Sequence, residues 1–338
     1  MRKFQKNRYF DSLSKIVDLN LDFSNTSILI TGANGLIGGS LLDYFMYLNQ
    51  TFNSNIKLYV LVRSDLTQHE FFDYCDVTVF KQSVTDEITF SDSLDYIFHL
   101  ASNAHPEAYD NYPVETALTN IQGTLNLLEI SKKTGAHLVF ISSSEVYGET
   151  DNERNSEEDY GYIDVLSPRS CYSESKRMAE TLINSYVKEY HVSAVSVRPA
   201  YIYGARFNDS NTRADIDFIK RCLLKKDIIM KSKGLQKRSY CYVLDCISAI
   251  LLIAQKGEKK GDAYNISSNS GDVRLVDFAA ELAKIAKVRL VFDLTGVEGG
   301  SPVSNSLLDN KKVKELGWRE QFDLQEGIAD VFSILGTY

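Results

Sequence analysis

Tyr172 and Lys176 stand four residues apart in the run Ser-Pro-Arg-Ser-Cys-Tyr-Ser-Glu-Ser-Lys-Arg that spans 167–177. On a helix this spacing puts both side chains on one face. An ammonium beside a phenol favours the phenolate and moves its pKa from ~10 toward working pH. A phenol tuned in this way exchanges a proton with a substrate hydroxyl, the chemistry that accompanies oxidation or reduction at the carbon bearing it.

Such a pair needs a partner that carries the electrons, and the segment Thr31-Gly32-Ala33-Asn34-Gly35-Leu36-Ile37-Gly38 supplies a place for one. The pattern before it, 28–30, reads as a strand, and 36–48 reads as a helix that leads to a second strand at 57–62. Glycines between a strand and a helix let backbone N–H groups face a pyrophosphate, which makes this a dinucleotide site in a βαβ unit. An acidic residue is expected at the end of the second strand to hold the adenosine ribose, but the chain has Val62-Arg63-Ser64. Arg63 offers a pairing partner for a 2′-phosphate instead, which favours NADP over NAD.

Further strands read at 77–80, 96–100, 138–142 and 194–198, with helices at 114–134 and 172–190 between them. Alternating buried strands and helices predict an α/β fold with a parallel, doubly wound sheet. The reading divides the chain into an N-terminal helical extension at 1–25, with Phe4, Phe10, Leu13 and Ile16 on its apolar side, and a dinucleotide-binding domain at 26–198. The remainder, 199–338, is mainly a smaller substrate-binding lobe interleaved with that domain. A basic segment at 220–238 opens the lobe, and the Asp-, Glu- and Tyr-rich stretch at 150–168 reads as a loop over the site.

With 37 basic against 45 acidic residues, the formal charge of −8 argues against a nucleic-acid or anionic-membrane surface. Five cysteines, Cys75, Cys171, Cys222, Cys241 and Cys246, form no zinc-like spacing, so we expect no metal site and reduced thiols in a cytoplasmic protein. No signal peptide and no run of ~18 apolar residues is read.

Taken together, these motifs resemble the extended short-chain dehydrogenases/reductases of the NAD-dependent epimerase/dehydratase family, from Ser27 to about Gly336. Besides the glycine segment, the matching residues are His99-Leu100-Ala101-Ser102, Asn120 with Gly123 to Leu128, Ser142 to Gly148, Tyr172 to Lys176, Arg198-Pro199, Tyr264-Asn265-Ile266 and Leu316-Gly317-Trp318. The resemblance implies a Rossmann domain with a C-terminal lobe for a nucleotide sugar, and a homodimer built on two long helices. Carried over by position, Ser143 would hydrogen-bond the reacting oxygen, Tyr172 would be the acid/base, and Lys176 would hold the nicotinamide ribose. Gly32, Asn34, Gly35, Leu36, Ile37, Gly38, Arg63, Ser64, Ser83, Val84, Leu100, Ala101, Ser102 and Asn120 would line the cofactor. Ser144, Glu145, Tyr201 and Arg238 would meet the substrate, with Arg238 on its diphosphate. His99 is expected to pack rather than react.

Departures from the family pattern narrow the reaction. Ser144 stands where sugar 4,6-dehydratases carry the acidic member of an Asp-Glu pair, and a serine hydroxyl is a poor proton donor to a leaving hydroxyl, so dehydration is disfavoured. The flanking motifs look most like the UDP-glucuronate decarboxylase branch. That branch keeps an acidic residue near Arg63, an Asn at Tyr201 and commonly an Asp at Ser83. The expected activity is therefore hydride transfer on a nucleotide-linked sugar for surface polysaccharide precursors. Net NADPH-dependent reduction of a keto nucleotide sugar or a CDP-linked ketose, UDP-glucuronate decarboxylation, and a non-catalytic NADP-sensing protein are the alternatives. A reductase of small non-nucleotide ketones is weighed against by Arg238.

Overall fold

Apolar runs rich in Ile, Leu, Val and Phe, each ending at a glycine or a polar residue, build one parallel sheet that carries the site. The computed structural model describes residues 4–17, 21–66, 76–90, 92–207, 213–295 and 305–336. In chain order, helix α1 (Lys6–Val17) is followed by β1 (Ser27–Thr31), α2 (Leu36–Phe52), β2 (Lys57–Val62), β3 (Val77–Lys81) and β4 (Tyr96–His99). Next come α3 (Pro106–Asn111), α4 (Pro113–Thr134), β5 (His137–Ile141), 3-10 turns at Ser144–Tyr147 and Pro168–Ser170, α5 (Cys171–Tyr190) and β6 (Ala194–Pro199). Then β7 (Tyr201–Tyr203), α6 (Ala214–Leu223), β8 (Ile228–Met230), β9 (Lys237–Tyr242), α7 (Val243–Lys256) and β10 (Lys260–Ile266) follow. The chain closes with β11 (Asp272–Arg274), α8 (Leu275–Ala286), β12 (Leu290–Phe292), β13 (Asn305–Ser306), α9 (Lys311–Glu315) and α10 (Leu324–Ile334).

The main sheet has the order β10-β6-β5-β4-β1-β2-β3, and every pairing in it is parallel. Crossover helices cover both faces, so β1, β5 and β6 are buried at every position, whereas the edge strand β3 is largely open. The order reverses direction between β1 and β4, and at that switch point the C-terminal ends of the strands form a crevice. This is the α/β doubly wound sheet expected from the sequence.

Beyond residue 198 the chain alternates between two layers. β10 returns to the main sheet beside β6, and α7, buried along nearly its whole length, packs on α2, β5 and β6. A second sheet of β11, β9 and β13, with β7 on β9, and a separate β8–β12 pair make the smaller lobe.

Helix α1 is part of the core. Tyr9, Leu13 and Ile16 are buried in it, and Phe4 and Phe10 are partly buried against the same core, so the expected apolar side packs inward with Tyr9 added to it. Tyr9 can lie inward because its hydroxyl has a buried partner, donating to Asp43 Oδ2 at 3.0 Å. Arg206 pairs with the same carboxylate at 3.0 Å, and Ser12 donates to Asp330 at 2.8 Å. Helices α2 and α10 are thereby tied to α1. The extension is a clamp.

Candidate active site

The glycine turn is built from backbone. Gly32 has φ +74°, and a Cβ there would lie 2.8 Å from the Ala101 amide nitrogen. A Cβ on Gly38 would lie 2.4 Å from the Gly32 carbonyl oxygen, so side chains at either position would push the turn away from β4 or from α2. Gly35 is the N-cap of α2 and has no side chain to satisfy the first amides of the helix. The Gly35 amide donates to the Gly32 carbonyl at 2.9 Å; the amides that follow it, at the positive end of the helix, fit a pyrophosphate, and Leu36 and Ile37 are the residues that would hold it. Thr31 Oγ1 accepts from the Leu100 and Ala101 amides, each at 3.1 Å, and so joins the ends of β1 and β4.

At the other side of the crevice, Ser143 closes β5 and Tyr172 opens α5. Ser143 Oγ caps the 3-10 turn by accepting from the Glu145 amide at 3.1 Å. Tyr172 is buried and its phenol is pushed up to about 12, first by burial and then by the Glu145 carboxylate. The Ser143 hydroxyl and the Arg213 and Arg169 guanidinium groups pull it back. Lys176 does share the face, as its spacing predicts, but its ammonium donates to the Ile141 carbonyl at 2.7 Å and lies 4.6 Å from the Phe140 ring centroid. Burial pushes Lys176 down to about 7, against the opposing Glu180 carboxylate. The expected lowering of the phenol by this lysine is therefore corrected: in the protein alone, desolvation outweighs it.

One helical turn beyond Lys176, Glu180 pairs with Arg198 at 2.6 Å, and both are buried. Arg198 also donates to Tyr147 Oη and to the Glu157 carbonyl, each at 3.0 Å, which ties α5 and β6 to the 150–168 loop. Asn120 is fully buried; it accepts from Ser102 at 2.8 Å and donates to Ser175 at 2.9 Å. Its side chain thus fastens the β4 end to α5 from below. His99 packs against Phe140 and shares a 2.9 Å hydrogen bond with Thr31. Its pKa falls to about 3, through burial first and the Lys176 charge second, so it stays neutral.

Sequence reasoning missed three residues beside Tyr172. Tyr109, from α3, stacks on the Tyr172 ring with centroids 4.7 Å apart. Arg169 lies 4.3 Å over the Tyr109 ring and pairs with Glu145 at 3.1 Å. Arg213 pairs with Asp215 at 2.7 Å and lies 5.7 Å from the Tyr201 ring centroid. Arg169 stood inside the quoted motif and was legible there; Tyr109 and Arg213 had only their residue types to mark them. Arg238 is buried, donates to the Lys237 carbonyl at 2.9 Å and approaches Tyr201 to 5.2 Å, so the Tyr201 ring holds both arginines.

At the adenosine side, Asn34 donates to Ser64 Oγ at 3.1 Å, and Ser83 Oγ bonds Thr85 Oγ1 at 2.7 Å. Val84 packs on Gly123 of α4, where a Cβ would lie 2.7 Å from it. Arg63 is not a bare cation: it forms an ion pair with Glu115 and donates to Asn103 Oδ1 at 3.1 Å.

A strand–glycine turn–helix unit, a capped serine and a buried Tyr–Lys face lie along one crevice, and the family model for the NAD dependent epimerase/dehydratase family matches residues 28–267. The chain belongs to this family. As a family member it is an enzyme with a nicotinamide dinucleotide cofactor. UDP-glucuronic acid decarboxylase 6 of Arabidopsis thaliana is 30% identical over 311 residues, 90% of this chain and 87% of that one. UDP-glucuronic acid decarboxylase 1 of Xenopus tropicalis is 29% identical over 313 residues, 89% of this chain and 70% of that one. Among solved structures, UDP-glucose 4-epimerase of Thermotoga maritima superposes with a TM-score of 0.77 at 26% identity, covering 91% of this chain and 98% of that one.

Proposed function

We propose that this enzyme oxidises a ring carbinol of a nucleotide-linked sugar and returns the hydride within one turnover, with a UDP-hexuronate as the substrate and loss of its carboxylate as the net reaction. The observation that carries this reading is the buried Tyr172 phenol, its ring stacked on Tyr109 with Arg169 over the far ring of that stack. Tyr172 takes the proton from the sugar hydroxyl while Ser143 holds the same oxygen. Positive charge favours the phenolate that does this work, and Arg213 and Arg169 contribute it. A bound oxidised nicotinamide would supply a further positive charge and the hydride acceptor for the sugar carbon.

A uronate oxidised at C4 is a β-keto acid, which releases CO2 without an acid to expel a hydroxyl. That suits Ser144, which has no carboxylic proton to give. Arg213 and Arg238, gathered on Tyr201, are suited to an anionic sugar and its diphosphate. The relatives named as UDP-glucuronic acid decarboxylases over about nine-tenths of the chain support the same reading. We further propose a cytoplasmic homodimer joined through α4 and α5, where Val114, Leu118 and Met178 are exposed, supplying precursors for surface polysaccharide. Net NADPH-dependent reduction of a keto nucleotide sugar is the second reading, favoured by Arg63 at the end of β2.

The test is to incubate the protein with UDP-, dTDP-, GDP- and CDP-linked sugars, UDP-glucuronate among them, with NAD or NADPH. Product masses, CO2 and absorbance of the reduced nicotinamide are followed. We expect CO2 and a pentose product from UDP-glucuronate with no net change in cofactor. Stoichiometric loss of NADPH would establish the reductase instead, and an isobaric product would establish an epimerase.

A further inference from the structure

The sheet order places β1 between β4 and β2, so residues beyond the ends of those outer strands meet above the glycine turn. Arg63 follows β2, Asn103 lies four residues beyond β4, and Glu115 sits in the first turn of α4. The three close on one another. Arg63 Nη1 pairs with Glu115 Oε1, Arg63 Nη2 donates to Asn103 Oδ1 at 3.1 Å, and Asn103 Nδ2 donates to Glu115 Oε1 at 3.2 Å. A carboxylate thus arrives from α4 at the strand end where the sequence offered only a cation.

We infer that Glu115 decides which nicotinamide dinucleotide this enzyme takes, by engaging Arg63 and presenting its own carboxylate where a 2′-phosphate would sit, so that the unphosphorylated cofactor is preferred. The inference rests on the reading of the glycine turn as the dinucleotide site. Its chemistry is a matter of donors and charge. A ribose diol brings two O–H donors, which a carboxylate accepts. A 2′-phosphate brings close to two negative charges and needs an uncommitted guanidinium. Here the guanidinium is shared with a carboxylate and an amide oxygen, and the phosphate would face Glu115 at close range. Asn103, and then Arg63, hold the Glu115 carboxyl below its usual range against the effect of burial, so it is charged at neutral pH. The pair is about half exposed, so replacing Glu115 leaves folding intact.

The test is a fluorescence titration of the full chain with NADH and with NADPH, which reads binding without turnover. We expect the wild type to bind NADH about tenfold tighter than NADPH, the scale set by one close charge contact that solvent partly screens. Glu115→Gln should tighten NADPH about tenfold and leave NADH within about threefold. Adding Arg63→Ala to Glu115→Gln should remove the gain. An NADPH-to-NADH ratio unchanged in Glu115→Gln, or a wild type that prefers NADPH, overturns the assignment of Glu115 alone. Failure to bind either dinucleotide overturns both this inference and the reading of the turn beneath it.

Discussion

The glycine turn and the α5 face hold their geometry by opposite means. At Gly32 and Gly38 the turn exists because backbone approaches backbone within distances that a Cβ would block. On α5 the determinants are long side chains, Tyr172, Lys176 and Glu180, each buried and each committed to a partner contributed by another element. The first region can be specified by a few neighbouring residues. The second requires β5, β6, α3 and the 150–168 loop to be in place before any of its charges is satisfied. A short local motif therefore suffices for the cofactor, whereas the proton-transfer group depends on the whole fold.

Substitutions in each region should separate these two kinds of construction. The largest effect is expected for Tyr172→Phe, which keeps the ring stacked on Tyr109 and removes the proton. Turnover should fall about 10²- to 10⁴-fold while NADH binding is retained, as measured by steady-state rates and fluorescence titration. Unchanged turnover would remove Tyr172 from the chemistry.

Glu180→Ala comes next, because it leaves Arg198 buried without its counter-charge. Urea unfolding should show a loss of about 3–5 kcal/mol, a global effect from one residue on the catalytic helix. Gly38→Ala should act locally instead, weakening NADH binding by about tenfold or more through displacement of the first turn of α2. If it lowered global stability more than Glu180→Ala, the contrast between the two regions would fail.

At neutral pH the smallest effect is that of His99, whose contribution shows only on acidification. In the folded chain His99 takes a proton only near about 3, against 6.5 for the free side chain. Between those values the unfolded chain binds the extra proton, so stability falls as pH falls through this window, by up to about 1.4 kcal/mol per pH unit from this group. Replacing His99 by Asn should flatten that part of the stability–pH curve.

Much of the site was legible because its local signals are strong. The strand at 57–62 was read with the bounds of β2, and the start of the helix after the glycines fell at Leu36, since a glycine turn leaves little freedom in where a helix begins. Tyr172 and Lys176 do occupy one buried face of α5. Their electrostatics were not legible: spacing says that two groups are near, but not that the ammonium bonds the Ile141 carbonyl or that the phenol is desolvated. The partner of Arg63 was not legible for the same reason, because Glu115 lies 52 residues away. The ties of the N-terminal helical extension were not legible because Asp43 and Asp330, which receive Tyr9 and Ser12, belong to distant helices.

The sequence by itself determined the βαβ unit, the parallel sheet and the order of the reacting groups, since periodicity, glycine conformation and i,i+4 spacing act over a few residues. Only the tertiary structure decided which charges meet. It set Glu115 on Arg63, Arg169 over the Tyr109–Tyr172 stack and Arg213 with Arg238 on Tyr201. Burial and pairing energies depend on neighbours brought together by folding, and those neighbours lie in other segments of the chain.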